Sequence, residues 1–157
     1  MTLVNQFARG LANIGNGGPD VLTIEAPPRK IACDIVQCNA LAVSFNELCL
    51  ATTELAAADA VRLQQLGQAL SARLTYLLEP ISPIEIDAQG CVVQLRSNPP
   101  QRDDDGRMYY ELLVRRGGEI SLKRYHKENS TARTAMSATV TREVLLRLVG
   151  DFSAVLD

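Results

Sequence analysis

The sequence predicts an α+β fold, a largely antiparallel sheet with a C-terminal four-strand meander, packed against a long central helix and a C-terminal helix. Three observations predict it. Leu63, Leu66, Leu70, Leu74 and Leu77 recur at spacings of three, four, four and three, the stripe of an amphipathic helix. After Pro80 the apolar period changes to two and stays there for nearly fifty residues, as in successive strands. The chain then closes on Val144, Leu145, Leu148, Val149, Phe152, Val155 and Leu156, a second wide helical stripe.

Taken in order, Leu3, Phe7, Leu11 and Ile14 predict a short N-terminal helix capped by Thr2, because a Thr hydroxyl accepts from the first free backbone amides. It stops at Gly15–Pro19, whose three glycines and one proline form a turn. That run is no phosphate loop, since it lacks the preceding strand, the following helix and the Lys-Ser/Thr pair. Val21–Glu25 is a short strand ended by Pro27 and Pro28. Ile31, Cys33 and Ile35, then Leu41, Val43 and Phe45, alternate as two strands joined near residues 37–39, the second reaching Leu50.

The long helix is expected over Leu55–Leu78, with Thr52 or Thr53 as cap, Glu54 near its positive end and Pro80 fixing its stop. Gly67 in its middle implies close approach of another backbone. The meander carries Ile84 and Ile86, Val93 and Leu95, Tyr110, Leu112 and Val114, and Ile120 and Leu122, turning first at residues 87–90. A polar loop over residues 97–107 contains Asp103, Asp104, Asp105 and Gly106. The last turn sets a register. With Arg116-Gly117-Gly118 as a three-residue loop and Gly118 left-handed, Leu112 pairs with Leu122 and Val114 with Ile120 on one face. On the other face Glu111 meets and neutralises Lys123, and Tyr109 meets Tyr125. A slip of one residue would expose the whole apolar set. Residues 127–138 have no apolar period and are expected to be a loop; Thr139 or Thr141 caps the final helix. No repeat or linker divides residues 1–157, which read as one domain.

The 157 residues include 46% hydrophobic and 22% charged residues, and 16 Lys and Arg against 18 Asp and Glu leave a charge of -2. No chain-wide excess therefore points to nucleic acid or to an anionic membrane. The longest uncharged stretch, Ile35–Asn46, is too short and too polar for a membrane helix. Asn5, Gln6 and Arg9 interrupt any secretory apolar run, so the expected location is cytoplasmic and Cys33, Cys38, Cys49 and Cys91 are expected as free, mostly buried thiols. They form no C-x-x-C pair, and consecutive aspartates are not a calcium loop, so no metal and no cofactor is assigned. His126 is the single histidine, and neither it nor Cys91 has an evident catalytic partner. No catalytic residue is assigned.

Charge is uneven: residues 81–105 hold two Arg against five acids, and residues 106–157 hold nine basic residues against six acids. The candidate binding face is the outer face of the last hairpin, Tyr109, Glu111, Leu113, Arg115, Lys123 and Tyr125, with Val92 alongside. Its mixture of aromatic, apolar and charged residues resembles an interface surface. The leading expectation is a non-enzymatic protein-interaction module, homodimeric or bound to another protein. The alternative is single-stranded nucleic acid or a phospholigand on the open sheet face, using Tyr109, Tyr125, Arg115, Lys123 and Arg124. A weaker alternative is an enzyme with a pocket between helices and sheet, a reading that a deep pocket containing Cys91 or His126 would favour. Small size, slight acidity and the order helix, strands, helix, strands, helix resemble type III secretion chaperones in layout; the extra hairpin departs from that family's pattern. The resemblance implies a chaperone-like role.

Overall fold

A computed structural model describes residues 2–87, 89–90 and 92–157 of the chain. Ala88, in the expected turn at residues 87–90, and Cys91, weighed above as a thiol and nucleophile, lie outside the described residues.

Helix α1 spans Leu3–Ile14 and is capped by Thr2, whose Oγ1 accepts from the Asn5 amide at 3.1 Å. It buries Leu3, Phe7 and Leu11. Strands β1 (Asp20–Ala26), β2 (Arg29–Cys38) and β3 (Ala42–Thr52) follow as an antiparallel set. Asn39 turns the chain between β2 and β3 by accepting from the amides of Leu41 and Ala42 at 2.8 and 2.9 Å.

The long helix is shorter than the leucine stripe suggests. Thr52 caps a short 3-10 turn at Thr53–Leu55, and helix α2 begins only at Ala60 and ends at Arg73. Its cap is Asp59, whose Oδ1 accepts from the Arg62 amide at 2.8 Å, so neither Thr52 nor Thr53 caps it. Glu54 faces Arg29 across the 3-10 turn instead of a helix terminus. Leu74 and Leu77 remain buried although they lie past the helix end, because the chain turns back beneath α2 before Pro80 and keeps both in the core. Burial, which the periodicity reports, outlasts the helix. Gly67 faces side chains and not backbone: a Cβ there would lie 3.0 Å from Val93 Cγ1 and 3.5 Å from Leu95 Cδ1.

Strands β4 (Ile81–Asp87), β5 (Val92–Ser97), β6 (Gln101–Arg102), β7 (Gly106–Arg115) and β8 (Glu119–Glu128) form the meander, with the two-residue β6 as an addition within the expected polar loop. Leu112 pairs with Leu122, Val114 with Ile120, Glu111 with Lys123 and Tyr109 with Tyr125, the register expected for a three-residue turn. Gly118 takes φ +99° there. Ile84 does not turn inward as an alternating strand requires, and Ile86, paired with core-facing Val93, keeps the inward register but stays 39% exposed. Pro83 pairs with Leu95 and Glu85 with Gln94, so Ile84 is the extra residue of a bulge and is 51% exposed, while Ile86 sits at the uncovered sheet edge.

The expected loop at residues 127–138 contains strand β9 (Thr134–Met136), and strand β10 (Ala138–Thr141) leads into helix α3 (Arg142–Ala154), capped by Thr141. The sheet order is β1-β2-β3-β8-β7-β5-β4, with β6 on β7, β9 on β8 and β10 on β3. After Leu122 pairs with Leu48, β8 departs from β3; β9 follows β8, and β10 returns to pair Ala138 with Phe45 and Thr141 with Ala42. The two short strands fill the gap left where the sheet splays. All three helices pack on one sheet face, joining Phe7, Phe45, Phe152 and the inward leucines into one core cluster. The opposite face carries no helix among the described residues. No helix among the described residues is long and apolar enough to cross a membrane.

Candidate functional site

On the helix-free face, alternation along β7 sends Tyr109, Glu111, Leu113 and Arg115 outward, and their partners on β8 send Tyr125 and Lys123 beside them. All six residues of the candidate face are therefore brought together. Their states differ. Tyr109 is only 2% exposed, Glu111 4%, and Tyr125, Leu113 and Lys123 are half-buried.

The covering comes from arginines. Arg96, opposite Glu111 on β5, lays its guanidinium over the Tyr109 ring at 4.8 Å from the centroid. Arg133, from the turn before β9, stacks over Tyr125 at 3.9 Å and donates to Glu111. Gln94 also donates to the Glu111 carboxylate, at 2.8 Å. The two tyrosine rings lie 6.0 Å apart and tilted. Rings sandwiched in this way offer little open π-surface for stacking a base. Glu111 and Lys123 are cross-strand neighbours, yet Lys123 pairs with Glu47 at 3.3 Å and Glu111 with Arg133. The expected Glu111–Lys123 neutralisation is thus replaced, because Arg133 reaches the buried carboxylate with a fork that a lysine lacks. Arg115 pairs with Glu119 at 3.6 Å.

Arg124 is not on this face. It stands opposite Tyr110 in the same register and therefore points to the core side, where its guanidinium lies 4.5 Å from the Tyr110 ring centroid. It donates to Glu79 at 3.1 Å and to Gln101 Oε1 at 3.0 Å. Burial pushes the Tyr110 phenol upward from its ordinary pKa, partly offset by Arg124. The register read from the sequence already implied this side; counting two residues further from Leu112 and Leu122 reaches Tyr110 and Arg124.

Around that pair lies a groove of about 640 Å³, walled by the segment Leu77–Pro80, by Pro99 and Pro100, and by Met108, Tyr110 and Met136. Helices cover neither mouth nor rim. Leu78 stands at the rim, 97% exposed and with φ +67°, a left-handed conformation rare for a branched apolar residue. Sequence reasoning missed Leu78, since it continued the leucine-rich run as helix, and missed Arg133, which lies in a stretch without period.

His126 is half-buried and lines a shallow depression with Glu128 and Thr134. Cys33 and Cys38 are buried and Cys49 is half-buried, all three as free thiols. Among the described residues, no group of three or more His, Cys, Asp or Glu side chains is placed to hold a metal ion. No protein-family model, no curated protein and no solved structure matches the chain.

Proposed function

We propose that the protein is a non-enzymatic interaction module that holds an extended segment of another protein chain, with an aliphatic side chain, in the groove beside Leu78. The observation that carries this reading is Leu78 itself. A leucine fully in water forgoes about 2 kcal/mol of burial, and its left-handed backbone costs roughly 1 kcal/mol more, a combination that a covering partner would offset. The groove supports the same reading, because Met108 and Met136 adapt their shape to an apolar guest and three prolines stiffen the walls. Native mass spectrometry of the chain purified from its host tests it. A protein bound at fixed stoichiometry to the wild type and to Leu41→Asp, an equally apolar exposed site elsewhere, and lost from Leu78→Asp and Met136→Asp, is the expected result. Retention by both groove variants, or no bound protein at all, overturns it.

A homodimeric form of the module is favoured by a separate feature, the free edge at β1. The opposite edge, β4, carries Pro83, a bulge and the carboxylates Glu85 and Asp87, devices that discourage strand addition. Strand β1 also carries two carboxylates, Asp20 and Glu25, but it has no proline and no bulge, and it pairs with β2 over seven residues without a register shift. Antiparallel pairing of two copies centred on Thr23 sets Leu22 of one opposite Ile24 of the other and places no carboxylate against another. Light scattering should give twice 17.1 kDa for the wild type. Thr23→Lys, which sets two lysines face to face, should give the single mass; a dimer unaffected by Thr23→Lys excludes this edge.

A further inference from the structure

On the outer face, at the end of the sheet remote from Arg115, three cations stand in one row. Arg102 on β6 is directly opposite Arg107 on β7, and Arg107 is directly opposite Lys127 on β8. Like charges in direct cross-strand opposition repel, and sequences ordinarily interleave an acid. Here none is interleaved: among the described residues no side-chain ion pair or hydrogen bond engages Arg102, Arg107 or Lys127. The three aspartates of the intervening turn do not supply it either. Asp103 turns its Oδ1 onto the amides of Asp105 and Gly106, at 3.0 and 2.8 Å, and Asp104 and Asp105 are exposed in the turn.

Beside the row a cavity of about 250 Å³ is lined by Arg96, Arg102, Arg107, Ser82, Asn98 and Tyr109, with Ile84 and Pro100 as its apolar wall. Arg96 contributes a second, independent sign. Its Nε is buried and has no hydrogen-bond partner, and its nearest carboxylate, Glu111, is 3.9 Å away and already held by Arg133 and Gln94. A buried guanidinium N–H without an acceptor is costly, and Arg96, whose side chain is a third exposed at the cavity, would relieve it by turning toward an acceptor bound there.

We propose that this cavity is an anion site that binds the phosphate of a small phosphomonoester. Three arginines, from β5, β6 and β7, line the cavity, and three guanidinium groups suit a dianion with three equivalent oxygens better than a carboxylate with two. The apolar wall formed by Ile84 and Pro100 receives the organic part of the ligand. The bulge at Ile84 is what turns that side chain outward to do so. The site lies on the sheet face opposite the groove and does not depend on the interaction reading.

The test is a titration of inorganic phosphate and of phenyl phosphate into the full 157-residue chain at low ionic strength, followed by the arginine Nε–Hε resonances in proton–nitrogen spectra. Both should saturate and should move the Arg96 Nε–Hε signal as it gains an acceptor. Arg102→Gln and Arg107→Gln should each weaken phenyl phosphate about tenfold or more, while Arg116→Gln, in the distant hairpin turn, should leave it within about twofold. Several results overturn the proposal: no saturable shift, an equal response to acetate, or an equal loss in Arg116→Gln. A single-stranded oligonucleotide that binds where both monoesters fail also overturns it, since the ligand would then be a backbone diester. The Arg96 signal is read in the wild type, so the outcome stands even where a variant fails to fold.

Discussion

Arg29 shows how much one side chain can join when its donors are all used. From the start of β2 it donates to Glu54 through Nε at 2.7 Å and Nη2 at 3.1 Å, to Asp157 through Nη2 at 2.7 Å, and to the Ser153 hydroxyl through Nη1 at 2.7 Å. It also reaches the Ser153 carbonyl at 3.1 Å, and so ties the 3-10 turn to the end of α3. Arg29 holds the Glu54 carboxyl below the usual carboxylate range, with Thr52 assisting. A lowered folded pKa gives stability that is present above the ordinary value of 4.5 and is lost as pH falls through the lowered one. Glu54 is a third exposed, so solvent screens its share and the Ser153 contacts carry more. Arg29→Ala should lower stability by about 2 kcal/mol in urea unfolding at pH 7, Arg29→Lys should recover only part, and the gap between wild type and Arg29→Ala should narrow below pH 4. Cys33 makes the opposite kind of contribution. Burial pushes its thiol from the ordinary 9.0 up to about 12. The folded thiol keeps its proton where the unfolded one loses it, so stability is complete below pH 9 and declines as pH rises toward 12. Between pH 8 and 11 the urea midpoint should fall more for the wild type than for Cys33→Ala.

At the scale of elements, the hairpin of β7 and β8 has a turn that is built into its surroundings. Gly118 accepts from the Thr52 amide at 2.7 Å, and a Cβ at Gly118 would lie 2.1 Å from the Thr52 carbonyl oxygen. The positive φ and this contact both require glycine, and the turn thereby docks on the end of β3. Gly118→Ala should cost about 2–4 kcal/mol by chemical denaturation, whereas Gly117→Ala, with open space around it, should change stability by less than about 0.5 kcal/mol. This turn was legible because one register satisfied both faces at once. Helix α2 was legible only in part: leucine spacing reports which residues face the core, and Leu74 and Leu77 face it from irregular chain. The capping Asp59 was the local sign of the later start, a carboxylate ready to accept from the Arg62 amide.

Over the whole molecule, the α+β class, the succession of the long strands along the chain and the hairpin register could be read directly, because long alternating segments repeat their signal many times; the pairing of β3 with β8 that joins the two halves could not. Strands of two to four residues do not. β6, β9 and β10 alternate too briefly to stand out, and β10 depends on β3, with Ser44 and Thr139 in contact across 95 residues of chain. The candidate site was legible where it followed the register, at Tyr109, Glu111, Leu113, Arg115, Lys123 and Tyr125. The cover supplied by Arg133 was not, nor was the cation row, since the three aspartates drew the reading and the arginines flanking them in opposition did not.

The late return of β10 has a consequence for the chain as it is being made. When β3 leaves the ribosome, the hydrogen-bonding edge of Ala42–Phe45 has no strand to receive it until residues 138–141 appear. At translation speeds of 5–20 residues per second, that interval is on the order of 5–20 s. For those seconds a half-built sheet carries a bare edge beside Val43 and Phe45, an unpaired strand of the kind that templates pairing with another chain.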